Sequence, residues 1–336
     1  MKYILFFLLL SAFLFTSCFE EDSKLPNTKR GNFEALWKIM DEHYCFFDYK
    51  DVDWNEVYNR YDARISESMS NDALFTVLGE MLAEVKDGHV NLSATHNVAR
   101  YWKWFEDYPD NFDIKIQRNY IGTDYNIAGG LKYKILDDNI GYIYYGSFSS
   151  GIGEGNLNQV LDRMAICHGI ILDVRDNGGG MLTYSERLAS HFFNEKTLVS
   201  YMMHKTGKGH NDFSEPYEKY IEPSNGVKYQ KKVVVLTNRS CYSAANDFVN
   251  AMRYAHDAVI VGDKTGGGGG LPFTSELPNG WGVRFSASPT LNAEKEQIEF
   301  GIDPDIKVDM TDEDMEKGID TIIEKAREII NKSRGK

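Results

Sequence analysis

Cysteine is scarce in this chain, with four among 336 residues. Cys18 closes an apolar N-terminal stretch, and Cys45, Cys167 and Cys241 are scattered. Three scattered cysteines allow at most one disulfide, and their spacing makes no zinc site. Basic charge is also short: 37 Lys and Arg stand against 50 Asp and Glu, a net charge of −13. Nucleic-acid partners want clustered positive charge, so they are set aside. No Gly-Lys-Ser/Thr follows the glycine run at Gly178–Gly180, which excludes a Walker phosphate loop, and GxGxxG is missing there too. Nothing implies a metal or a cofactor. What is present is ordinary for a globular protein, at 42% hydrophobic and 26% charged residues. The length allows one large core or two domains.

The first 17 residues read as a signal peptide rather than as part of the fold. Lys2 precedes an apolar run from Tyr3 to Phe15, then Thr16-Ser17-Cys18. The run is short for a membrane span of ~20 residues. A cysteine directly after small residues resembles a bacterial lipobox, which makes Cys18 the expected lipidation site. Phe19-Glu-Glu-Asp22 behind it resembles the export signal of surface lipoproteins. Residues 18–30 read as a lipidated tether. The expected location is a lipoprotein in the outer membrane of a Gram-negative bacterium, facing the periplasm or the cell surface.

The richest stretch is Asn238-Arg-Ser-Cys-Tyr-Ser-Ala-Ala-Asn246. The apolar run Val233–Leu236 leads into it, and Ala244–Met252 follows with helical spacing. Ser243 therefore sits at a strand-to-helix turn, beside the unpaired amide of Ala244. Acyl transfer needs such a pair, a nucleophile next to an oxyanion donor. The plain alternative is a helix N-cap. A second stretch, Gly169–Gly180, runs from a buried strand through Asp173 and Arg175 into three glycines. Its Gly179 amide could face an anion or a reacting carbonyl. A third, Val85-Lys-Asp-Gly-His-Val-Asn-Leu92, ends an amphipathic helix over Leu74–Val85, with Gly88 as the expected C-terminal cap. It offers His89, whose reference pKa of about 6.5 suits a general base. Cys241, two residues before Ser243, is the lesser nucleophile candidate.

Asp-Gly-His at 87–89, Gly-Tyr-Ile-x-x-x-x-Phe at 141–148, Asp-x-Arg-x-Asn-x-Gly-Gly from Asp173, Ser-Ala-Ala at 243–245 and Gly-Ile-x-Pro-Asp-Ile at 301–306 occur in that order. Together they resemble the C-terminal processing peptidase and tricorn core family of serine peptidases, over roughly residues 31–310. The resemblance implies an α/β fold with a ClpP/crotonase-like βα spiral core, an N-terminal helical subdomain and a short β segment. It implies Ser243 as nucleophile, His89 as base, Glu299 (or Glu296) as a further member, and Gly179 and Ala244 as the oxyanion hole. The lysine of the Ser–Lys branch falls near Gly268, and Lys264 lies four residues too early. The tricorn-like branch is therefore favoured. Gly88 stands where that branch has a serine, and Asn246 where it has a glutamate. The implied activity is endopeptidase cleavage of a peptide or unfolded protein outside the cytoplasm. The rivals are a catalytically degraded binding lipoprotein of the same fold and a Ser–Lys enzyme using Lys264.

Helical periodicity marks residues 31–95 as the N-terminal subdomain. Residues 96–135 form a short β or connecting segment, since the interval from His89 to Gly141 is too short for the PDZ domain many such peptidases carry. Its aromatic run Tyr101–Tyr108 suits core packing or a groove lid. Strands and helices alternate through 136–310, the expected peptidase core. Asn279-Gly280 reads as a hairpin turn, Lys205–Asn225 as a polar loop, and 311–336 as a C-terminal helix.

Overall fold

The computed structural model describes residues 25–333; the signal-like segment, Cys18 and the acidic cluster behind it lie outside them. Three helices come first, α1 (Lys29–His43), α2 (Trp54–Asp62) and α3 (Asn71–Ala83). Short polar side chains start each one. Thr28 accepts from the Gly31 amide, Asp53 from Asn55 and Glu56, and Ser70 from Ala73. Their apolar faces close on one core holding Phe33, Leu36, Trp54, Leu78 and Met81. Gly88 is not the C-terminal cap expected of it, because α3 ends at Ala83 with Glu84 in the capping place. Its role is room: a Cβ there would lie 2.6 Å from Trp104 Nε1 and 2.9 Å from the Tyr242 hydroxyl.

Next come β1 (Asn91–Ser93), β2 (Val98–Arg100), α4 (Lys103–Glu106), α5 (Ile114–Ile121), β3 (Asn126–Ala128) and β4 (Leu131–Ile135). The 96–135 interval thus holds two helices beside its strands. Asp113 nucleates α5 by accepting from the amides of Lys115 and Ile116. Then follow β5 (Gly141–Tyr144), α6 (Glu154–Met164), β6 (Ile170–Asp173), α7 (Leu182–Ser190), β7 (Thr197–Met202), β8 (Tyr217–Ile221), β9 (Val233–Thr237) and α8 (Ala244–Met252). The chain finishes with β10 (Ala258–Gly262), β11 (Gly270–Glu276), β12 (Gly282–Asn292), β13 (Ile306–Lys307), α9 (Asp312–Glu316) and α10 (Thr321–Ser333). The single C-terminal helix expected is two, because Gly318 turns left-handed at φ +71° between them.

One sheet runs β13-β10-β9-β6-β5-β4-β3. It is parallel from β13 to β5 and antiparallel beyond. Every residue of β6 and β9 is buried, as continuous apolar strands covered on both faces should be. Val233 and Val235 face a core shared with Leu161 of α6, Leu188 of α7 and Phe248 of α8. Val234 and Leu236 point the other way, onto Ile322, Ile323 and Ala326 of α10.

The second sheet, β2-β1-β12-β7-β8 with β11 also on β12, is antiparallel. Its long strand β12 joins the two cores. Arg284 pairs with Asn91 near the helical unit, and Thr290 pairs with Met202 of β7. The Asn279-Gly280 turn is present, with Gly280 at φ +85° and the Leu277 amide donating to the Trp281 carbonyl. The supposed loop Lys205–Asn225 contains β8, which pairs with β7.

Candidate active site

Strands β6 and β9 are parallel neighbours, with Asp173 beside Leu236, so their C-terminal ends emerge side by side. The glycine loop follows one and the Ser243 turn follows the other. That placement at the carboxyl ends of parallel strands is where α/β sheets bind ligands. Ser243 sits before α8 at φ 58°, ψ −123°, and its side chain makes no capping bond. The cap alternative therefore does not describe its hydroxyl. A left-handed non-glycine residue costs of order 1–3 kcal/mol and must be held there by its surroundings. The holders are visible: the Ser243 amide donates to the Gly267 carbonyl at 2.9 Å, and the Tyr242 amide to the Asn177 carbonyl at 3.1 Å. Among the described residues, the Ala244 amide donates to no protein acceptor.

Gly179 presses directly on this turn. A Cβ at that position would lie 2.8 Å from Ser243 Cβ and 3.0 Å from the Ala244 nitrogen. Its own amide, however, donates to Asn177 Oδ1 at 3.0 Å. Cys241 is turned away: its thiol donates to the Val174 carbonyl at 3.0 Å, and burial pushes its pKa up to about 12. The thiol stays neutral and inert.

His89 is buried, and its ring packs on Tyr242, the neighbour of Ser243, with centroids 4.9 Å apart. Burial lowers its pKa to about 4, against the pull of Asp87, so at neutral pH the imidazole is uncharged. Nδ1 is buried and has no hydrogen-bond partner among the described residues. Asp87 does not orient the ring; its Oδ1 accepts instead from the His89 backbone amide at 2.8 Å. No hydrogen bond joins His89 to Ser243 among the described residues. Trp104 of α4 stacks over Tyr242 at 4.1 Å between centroids, while Trp102 and Tyr108 of the same aromatic run are exposed.

Glu299 is buried, but its carboxylate meets Lys50 rather than the imidazole. Lys50 Nζ lies 2.7 Å from Oε1, and the Gly269 amide donates to Oε2 at 2.9 Å. Burial and the facing Asp87 carboxylate raise the Glu299 pKa to about 7. Glu296 lies apart, accepting from the Asn292 side chain. Asn246, inside α8, ties Thr265 to the Ile298 carbonyl. Lys264 is partly exposed and paired with Asp303 at 3.1 Å. Gly268 has no room for a lysine, since a Cβ there would meet the Tyr242 ring at 2.6 Å with φ at +81°. Lys50 and Tyr44 were not among the site residues expected from the sequence. Asp87 was in plain view inside Asp-Gly-His, but apart from the His89 amide its partners Tyr44, Tyr242 and Ser286 are distant in sequence.

Residues 139–308 match the profile of Peptidase family S41, and residues 25–83 that of the Tricorn protease C1 domain. A solved structure of a candidate peptidase from Parabacteroides merdae ATCC 43184 is 57% identical, with a TM-score of 0.87, covering 90% of this chain and 96% of that one. The chain therefore belongs to peptidase family S41, a C-terminal processing peptidase family. The carboxy-terminal processing protease CtpA of Bacillus subtilis (strain 168) is 26% identical over 60% of this chain. This chain spans only 41% of that relative's length. Mature CPAF, 12% identical, shares the fold at a TM-score of 0.68 over 90% of this chain and 96% of its own. The α/β fold expected from the motifs is thus the one these neighbours share.

Proposed function

We propose that this chain is a serine peptidase that cleaves internal peptide bonds through an acyl-enzyme on Ser243. The observation that carries the reading is the strained turn itself. A serine is held at positive φ in the turn beyond a parallel strand and, among the described residues, its hydroxyl makes no capping bond and the next amide has no protein acceptor. Ser243 Oγ attacks the scissile carbonyl carbon. The oxyanion takes the Ala244 amide, and the Gly179 amide joins by exchanging Asn177 for the substrate oxygen. His89, neutral in its buried site, accepts the serine proton and returns it to the departing amine. Water then repeats the sequence on the ester and frees the second product. Catalytic hydrogen bonds often close only when substrate is bound, and this reading requires His89 to reach Ser243 in the complex. Glu299 acts by holding the glycine turn that carries the Ser243 amide.

The substrate is an extended peptide or unfolded protein, met outside the cytoplasm, with Cys18 acylated and anchored in the outer membrane. A Cys18→Ala variant should then leave the membrane fraction. Turnover of a fluorogenic peptide tests the chemistry. Ser243→Ala should abolish it, and His89→Ala should lower it by ~10² or more. Near-normal turnover in Ser243→Ala would defeat the assignment. The unpartnered Nδ1 favours a second reading, a peptide-binding lipoprotein of the same fold. That reading requires wild-type protein to bind peptides without cleaving them.

A further inference from the structure

Lys50 follows α1, in the N-terminal helical unit, yet its side chain is only 5% exposed. Its ammonium contacts Glu299 Oε1 at 2.7 Å and Asp87 Oδ2 at 3.7 Å, and donates to the Lys86 carbonyl at 3.3 Å. Each carboxylate leads to one half of the proposed machinery. Asp87 Oδ1 accepts from the His89 amide at 2.8 Å and the Tyr242 hydroxyl at 3.3 Å. Its Oδ2 accepts from Tyr44 and Ser286, both at 3.0 Å. Glu299 Oε2 accepts from the Gly269 amide, its carbonyl from the Gly268 amide, and Gly267 in turn holds the Ser243 amide. One cation from the N-terminal unit thus closes a bridge between the base loop and the nucleophile turn.

We infer that Lys50 is a positioning residue, through which docking of the N-terminal helical unit brings the His89 loop and the Ser243 turn into register. Its ammonium is fully engaged, and its pKa is raised by Asp87 and Glu299 against the burial that would lower it, so it acts as a fixed cation and not as a base. Without it, two buried carboxylates would face each other, and one would have to take up a proton. Tyr44, Cys45, Tyr49 and Tyr242 also face the cluster, but burial pushes each of them upward, away from neutral pH. Arg284 adds positive charge near His89. The groups left to exchange protons between acid and neutral pH are Asp87, Glu299 and His89.

The inference rests on Ser243 and His89 acting as proposed above, and the test separates the two. In the full chain, Lys50→Met keeps the length and apolar stem while removing the charge. A fluorophosphonate probe should label wild-type Ser243. Lys50→Met should label ~10²-fold more slowly at pH 7, and its rate–pH profile should shift by a unit or more. Lys50→Met/Glu299→Gln, which removes the carboxylate left without its cation, should regain at least ~10-fold of that loss. It should also restore cooperative thermal unfolding if Lys50→Met alone fails to fold. Wild-type protein that escapes the probe defeats the reading of Ser243. A labelled wild type, with Lys50→Met labelling equally fast on an unchanged pH profile, defeats this inference alone. So does a double variant no better than the single one in labelling and folding.

Discussion

Two buried clusters in this molecule share a composition, one cation between two carboxylates, and differ in what surrounds them. Arg175 meets Asp173 and Asp320 with its guanidinium fork, and all three side chains are fully buried. Asp173 accepts further from the Tyr142 hydroxyl at 2.6 Å. Asp320 sits at the start of α10 and accepts from the amides of Ile322 and Ile323. The second negative charge there is met by a helix N-terminus. Around Lys50 the support is uneven: Asp87 accepts from the His89 amide and from the hydroxyls of Tyr44, Tyr242 and Ser286, and Glu299 shares none of these donors. An ammonium has three donors and no fork, and Glu299 has one loop amide for its other oxygen. The Glu299 pKa rises to about 7 in consequence. The fork-held cluster ties a helix to a sheet, whereas the cluster beside the Ser243 turn holds a carboxyl that titrates near neutral pH.

The comparison is broken most severely at Arg175. Arg175→Met should cost about 3–5 kcal/mol, because two buried carboxylates lose the cation that pairs with both. Denaturant unfolding measures it, and a loss under 1 kcal/mol would mean that the clamp is not what fixes α10. The next largest effect concerns pH. His89 has its pKa lowered from 6.5 to about 4, so it adds stability above pH 6.5 that is lost as pH falls towards 4. A shift of that size corresponds to roughly 3 kcal/mol. Glu299 works in the opposite sense: its raised pKa adds stability below about 4.5 that is lost as pH rises through 7. Glu299→Gln should therefore lift the neutral end of the stability–pH curve relative to the acid end, and His89→Gln should lift the acid end. Melting temperatures between pH 4 and 8 distinguish them. An unchanged curve in Glu299→Gln would show its carboxyl titrating at its ordinary value. At the small end, Lys264→Ala should change stability by under ~0.5 kcal/mol and leave peptide turnover intact, as for any exposed pair. Loss of turnover there would revive the Ser–Lys alternative.

The sequence made the parallel half of the fold legible, because β6 and β9 are short apolar runs followed by glycine or serine turns. It also pointed to Ser243, since an apolar strand running into Ser-Ala-Ala announces a strand-to-helix turn. The antiparallel sheet was harder to see: β1, β2 and β8 are short, and their partners lie far away in the chain. Gly88 and Gly179 illustrate a second limit. Both looked like backbone devices, yet Gly88 is small because Trp104 and Tyr242 press on it, and Gly179, at φ +96°, is pressed by the Ser243 turn as well. Lys50 carries no local signal, because nothing in Tyr-Lys-Asp distinguishes a buried cation from a solvated one. The His89 pKa likewise depends on burial by residues distant in sequence.

The central claim is that Ser243 is the nucleophile, and covalent mapping tests it most directly. Wild-type protein treated with a fluorophosphonate and digested should carry the adduct on the peptide containing Ser243, and prior denaturation should abolish labelling. An adduct on another residue would contradict the account, as would Ser243→Ala protein that still takes up probe and cleaves peptide at the wild-type rate.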